Sequence, residues 1–131
     1  AAPISLRKKQ SSAFIALPGI GNKLAGRIVN FRDKLGGFYS VEQVGETYGL
    51  PDSTFHKIKA SLQLSGDVKK LNVNTATKDE LKVHPYIKWN LANAIVEYRN
   101  QHGAFKNLEE LKNIAVIDET TFEKIVHYLS L

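Results

Sequence analysis

LPGIGNKLAGRIVNFRDKLGGFYSVEQV, residues 17–44, lies over HPYIKWNLANAIVEYRNQHGAFKNLEEL, residues 84–111, without a gap. At that single offset of 67, Pro18 meets Pro85, Ile20 meets Ile87, Ala25 meets Ala92, Ile28 meets Ile95 and Arg32 meets Arg99. The register continues through Gly36 and Gly103, Phe38 and Phe105, Phe55 and Phe122, and Ile58 and Ile125. A coincidence does not hold one register over so many residue types, so the chain is read as two copies of one small unit. The expected boundaries are 1–66 and 67–131, joined near Ser65, Gly66 and Asp67.

Within each copy the apolar period is helical. Leu24, Ile28, Phe31 and Leu35 fall on one face of a helix expected to open near Asn22, and Gly36-Gly37 ends it because glycine accepts the left-handed C-terminal conformation. Ser40 with Gln43, Thr77 with Glu80, and Asn107 with Glu110 have the spacing of a capping box and mark further helix starts. Extended alternation is nearly absent, the one strand-like run being Leu71 to Thr75. The fold class is therefore all-α, with each copy a small four-helix bundle.

The 131 residues are 43% hydrophobic, enough for two small cores. The absence of cysteine excludes disulfides and thiolate metal sites. His56, His84, His102 and His127 show no ligand spacing, and neither a Ser-His-Asp order nor a paired-carboxylate cleft is suggested, so no metal, cofactor or catalytic residue is expected. No apolar run approaches the roughly 18 residues of a membrane span, and no direct membrane contact is expected from this segment. A start at Ala1 without any Met is expected of a processed or engineered N-terminus.

The net charge is +5 and unevenly placed. Residues 1–66 hold nine Lys or Arg against four acids, whereas residues 67–131 hold nine against nine. Lys23, Arg27, Asn30 and Lys34 form a polar stripe beside the apolar one. Their counterparts Asn90, Ala94, Glu97 and Gln101 carry no positive charge.

Leu17-Pro18-Gly19-Ile20-Gly21 joins two helices tightly, and the N–H groups after Gly21 lack intrahelical partners, which makes an anion site. This hydrophobic-Pro-Gly-Ile-Gly turn, followed by Ala25 and Ile28, resembles the helix-hairpin-helix motif of DNA-binding proteins. AsnValAsnThrAlaThr from Asn72, TyrArg at Tyr98, GlyAlaPhe at Gly103 and the helix start at Asn107 resemble ComEA-type DNA uptake proteins.

The resemblance implies binding of duplex DNA through backbone phosphates, without base reading, and a periplasmic or membrane-anchored extracytoplasmic setting. It places Gly19, Ile20, Gly21, Asn22, Lys23, Arg27 and Lys34 in the interface, with Lys82 and Lys88 as weaker contacts of the second copy. A monovalent cation on the carbonyls of Ile15, Leu17 and Ile20 belongs to the same implication. In the second copy Tyr86, Lys88 and Trp89 replace Gly19, Gly21 and Asn22, and Gly49-Leu50-Pro51-Asp52 and Val116-Ile117-Asp118-Glu119 lack the second glycine. These departures favour a rival reading, a protein-interaction scaffold that kept the fold and lost DNA. A lyase or glycosylase would need a catalytic Lys and Asp in a deep pocket, for which two small helical units leave little room. Arg32 and Arg99 are expected to tie the long helix to the turn after it, and Trp89 and Tyr86 to pack between copies.

Overall fold

A computed structural model describes residues 4–5, 14–64 and 67–131. The chain divides into two compact units, 1–68 and 69–131. Each is all-α apart from two-residue ladders, and no helix among the described residues is long and apolar enough to cross a membrane.

The first unit runs β1 (Ile4–Ser5), α1 (Asn22–Leu35), a 3-10 helix Val41–Glu46, α2 (Asp52–Ile58) and β2 (Leu62–Gln63). The second runs β3 (Leu71–Asn72), α3 (Lys78–Lys82), α4 (Lys88–His102), a 3-10 helix Leu108–Asn113, α5 (Glu119–Ile125) and β4 (Leu129–Ser130). In each unit the opening strand pairs in parallel with the closing one, Ile4 opposite Leu62 and Leu71 opposite Leu129. Each partnership is the other shifted by 67, so the repeat extends to pairings that no helical period foretells. The ladder closes the unit by tying its first residues to its last.

The buried face of α1 is Ala25, Ile28, Arg32 and Leu35, with Leu24 and Phe31 only half-buried. The second core gathers Ile87, Ala92, Ile95, Leu111, Phe122 and Ile125. Truncating one of these large side chains to alanine costs about 2–5 kcal/mol in a core of this kind. Gly36 ends α1 at φ 94°, and the Gly36 and Gly37 amides both donate to the Arg32 carbonyl.

Arg99 Nη1 donates to the carbonyls of Val73 and Ala76, at 3.1 and 2.9 Å. The expected structural role is thus played toward the segment that opens the unit, and not toward the turn after the helix. The turn after β3 brings the Val73 and Ala76 carbonyls together, and the long guanidinium reaches both. Arg32, 3% exposed, also holds Asp33 at 3.2 Å.

The expected caps form with one alteration. Thr77 and Glu80 make a reciprocal box, and Gln43 Oε1 accepts from the Ser40 amide. Asn107 accepts from the Glu110 amide, but Glu110 reaches back to the Lys106 amide instead of that of Asn107. Asp118 caps α5 by accepting from the Thr121 amide at 2.8 Å. The helices opened by Ser40 and Asn107 are 3-10 rather than α, each only six residues long.

The two long helices are entered differently. Leu17–Ile20 is a turn with Gly19 at φ +80° and the Ile20 amide donating to the Leu17 carbonyl, so the left-handed residue sits third, as a type II turn requires. Tyr86, Gly19's counterpart, has no positive φ; Lys88 does instead, at 57°, with its amide on the His84 carbonyl.

The Thr47 hydroxyl is buried without a hydrogen-bond partner, and its counterpart is Ile114. Thr47→Val is therefore expected to stabilise the chain by about 1 kcal/mol in a thermal melt followed by circular dichroism. Lys88→Gly relieves about 1–2 kcal/mol of left-handed strain and gives back about 0.4–1 kcal/mol through the unfolded chain. A net gain of roughly 0.5–1 kcal/mol is expected in urea unfolding read by the single tryptophan, Trp89.

The Thr121 backbone and side chain hold the Asp118 carboxyl below its ordinary value, as Thr77 does for Glu80. A lowered folded-state pKa gives stability that is full above the unfolded value and is lost as pH falls through the folded one. Asp118→Asn keeps a capping acceptor and removes that titration, so its melting temperature should fall less steeply than wild type below about pH 4.

Candidate nucleic-acid interface

The first hairpin is built by the turn and the helix it feeds. Gly21 is the N-cap of α1, with no side-chain acceptor on the helix amides, and the first intrahelical bond is donated by Ala25 to the Gly21 carbonyl. The amides of Asn22, Lys23 and Leu24 thus precede the helical ladder, at the positive end of a 14-residue helix. Beyond its two chain neighbours, no atom among the described residues lies within 4 Å of where a Gly21 Cβ would stand.

The two glycines act differently. Gly19 needs its backbone freedom, whereas Gly21 sits at φ −100°, a conformation any residue adopts. Backbone freedom is therefore not what glycine supplies at position 21. What its missing side chain leaves there is open space in front of the amides.

Gly19, Gly21, Asn22 and Lys23 are exposed together at this corner. Ile20 is only 5% exposed, so its side chain anchors the turn in the core and only its backbone is available. Arg27 is half-buried, its Nη1 donating to the Tyr48 carbonyl at 3.3 Å and its guanidinium 4.9 Å from the Tyr48 ring centroid. Lys34 is exposed but twelve residues along the helix from Asn22, roughly 18 Å at 1.5 Å per residue, so it stands apart from the hairpin.

Tyr48, 81% exposed, was not marked by the repeat. The signal for it is a second correspondence inside the first unit. Thr47-Tyr48-Gly49-Leu50 forms the same turn as Leu17–Ile20, with Gly49 also at φ +80° and the Leu50 amide on the Thr47 carbonyl. A Cβ on Gly19 would meet Thr54 of α2 at 3.0 Å, and one on Gly49 would meet Arg27 of α1. Each turn's glycine thus lies against the helix that follows the other turn.

The second unit keeps neither feature. Ala94 and Ala115 stand where Arg27 and Tyr48 would, and Val116 replaces Gly49. Lys82 is engaged by Asp79 at 3.0 Å, while Lys88 is exposed. The Asp118 carboxylate already occupies the start of α5. Tyr86 packs inside its own unit, edge-on to His84 and Tyr128 at 5.8 and 5.9 Å, and Trp89 stays 56% exposed. Among the described residues no group of three or more His, Cys, Asp or Glu could hold a metal ion. Arg7, Lys8 and Lys9 lie outside the described residues.

The chain is 28% identical over 141 residues to endonuclease/exonuclease/phosphatase family domain-containing protein 1 of Danio rerio, a match covering 93% of this chain and 26% of that protein. It is 38% identical over 55 residues to ComE operon protein 1 of Bacillus subtilis (strain 168), covering 42% of this chain and 27% of the relative. An uncharacterized protein of Haemophilus influenzae is 46% identical over 56 residues, 42% of this chain and 50% of its own. The chain thus spans about a quarter of the first of these relatives, and no solved structure matches. The helix-hairpin-helix motif family matches residues 3–63 and again 66–130, so the chain belongs to that family and carries its motif in tandem.

Proposed function

We propose that the chain binds duplex DNA through backbone phosphates, without reading sequence and without catalysing a reaction, and that the first unit makes the contact. One observation carries the reading: the first hairpin presents uncapped amides of a long helix behind the open space at Gly21, with Lys23 exposed on the first turn. A phosphate oxygen suits such a site because the donors are fixed and the helix dipole is positive there. Amides and lysines carry no base information, so binding is indifferent to sequence.

The charge distribution supports the same unit, since the whole +5 lies in residues 1–66. Gly19, Ile20, Gly21 and Asn22 form the cradle through their backbone, and Lys23 and Arg27 add charge. Lys34 extends the basic face toward a neighbouring phosphate, and Lys82 and Lys88 are secondary contacts. The cation implied by the resemblance would rest on the Ile15, Leu17 and Ile20 carbonyls. Leu17 already accepts the Ile20 amide and keeps one lone pair for it.

Uptake or handling of DNA is the setting that the family resemblance suggests. The activity named for the Danio rerio relative belongs to a protein of which this chain covers about a quarter, and none of it is proposed here.

Titration of mixed-sequence duplex across salt concentrations tests the reading. Four neutralised phosphates give a slope of log K against log[salt] near −3.6, from about −0.9 per phosphate. Lys23→Ala combined with Arg27→Ala should lower its magnitude by about two units for every duplex alike. Gly21→Val should weaken binding while circular dichroism is retained, because the new side chain fills the approach and not the backbone's needs. Affinity that is flat in salt, or absent for all duplexes, replaces this reading with the protein-interaction scaffold.

A further inference from the structure

Where the second unit lost its glycine hairpin it carries a surface pocket of about 590 Å³. It is lined by Tyr86, Lys88, Trp89 and Asn90 together with Thr121 and Lys124 of α5. None of the lining residues is acidic. Tyr86 is braced from behind by buried His84 and Tyr128, whose own rings lie 4.7 Å apart, and its amide donates to His84 Nδ1 at 3.1 Å. Trp89 is an exposed aromatic with Lys78 Nζ 4.4 Å from its ring, and Lys124 Nζ stands 5.0 Å from the Tyr86 ring.

We propose that this pocket binds an unpaired nucleotide of single-stranded DNA. Two aromatic rings offer faces to a base, two lysines offer charge to the phosphates on either side of its nucleotide, and the Asn90 amide can both donate to and accept from a base edge. The volume accommodates a nucleotide. Stacking a base displaces lysine from the ring face, a favourable exchange because base stacking outweighs an exposed cation–π contact, and the released ammonium is then free for the phosphate.

The backbone supplies an independent reason. Lys88 is the one non-glycine residue at positive φ among the described residues, where glycine would be unstrained. A lysine kept at a strained position beside a pocket is the pattern of a side chain in use. This site goes beyond the duplex contact proposed for the first unit and stands whether or not that reading holds.

The chain's single tryptophan makes the test specific. An eight-nucleotide oligothymidylate should quench Trp89 fluorescence saturably at low salt, a blunt sixteen-base-pair duplex should quench it far less, and deoxythymidine monophosphate should fall between. With two phosphates engaged, the salt slope for the octamer should be about −1.4, from roughly −0.7 per single-strand phosphate. Lys88→Gly should flatten it by about 0.7 while raising the unit's melting temperature, a pairing that misfolding cannot imitate. Lys124→Ala should weaken the octamer similarly, and Gly21→Val, which probes the first unit, should leave the quench unchanged. Absence of quenching by the octamer, equal quenching by the duplex, or unaltered affinity in Lys88→Gly would each overturn the proposal.

Discussion

The turn that enters each long helix allows one left-handed residue, and where that residue sits decides what the helix start can present. With Gly19 at φ +80° the bend is completed before Gly21, which is left in an extended conformation as a bare N-cap. The helix amides then open beside a Cβ position that, chain neighbours aside, no described residue approaches within 4 Å. When Tyr86 takes the place of Gly19, its Cβ disfavours the left-handed region, and the positive φ passes two residues on to Lys88. The amide of Lys88 is drawn back onto His84 and its side chain stands where the first unit has nothing. Replacement of both glycines and of Asn22 thus turns an open backbone site into a side-chain-lined pocket.

The same steric logic couples the two turns of the first unit. Gly49 leaves the room through which Arg27 reaches the Tyr48 carbonyl, and Gly19 lies against Thr54. Thr121, the counterpart of Thr54, survives in the second unit, but Ala94, Ala115 and Val116 replace the arginine, the tyrosine and the glycine together. Once the guanidinium is gone, the space it needed can be filled by a β-branched side chain. The loss of glycine at the second turn is therefore a packing consequence of the missing arginine as much as a loss of anion chemistry.

Much of this was legible in the residues because it rests on local rules. The repeat register, the stop at Gly36, the Ser40 and Thr77 caps and the helical class all follow from periodicity and terminal chemistry. Of the strand-like run Leu71 to Thr75 only Leu71–Asn72 is strand, and the parallel pairings were not legible, since two-residue strands such as Leu62–Gln63 set no period and their partners lie some 58 residues away. Arg99's carbonyl partners at Val73 and Ala76 were hidden for the same reason: a long side chain crosses from one element to another without leaving a spacing rule. At the hairpin, the sequence marked Gly21 but not why it matters, because a missing side chain can mean conformational freedom or open space. Only the φ of −100° separates the two.

The two units have therefore diverged at their helix starts more than in their cores. Ile28 and Ile95 are both fully buried, as are Ile58 and Ile125, and Arg32 and Arg99 share one position in both copies. Those positions are constrained by close packing, where any change of volume is felt. The N-cap positions of the hairpin helices face solvent and carry no such constraint, so Asp118 can satisfy a helix start from within in one copy while Gly21 leaves the start of α1 without a side-chain cap in the other. An internal carboxylate and an external phosphate compete for the same amides. A unit that caps α5 with its own acid has exchanged anion binding there for local stability, and the pocket beside Trp89 is what remains on that unit for a charged, aromatic ligand to use.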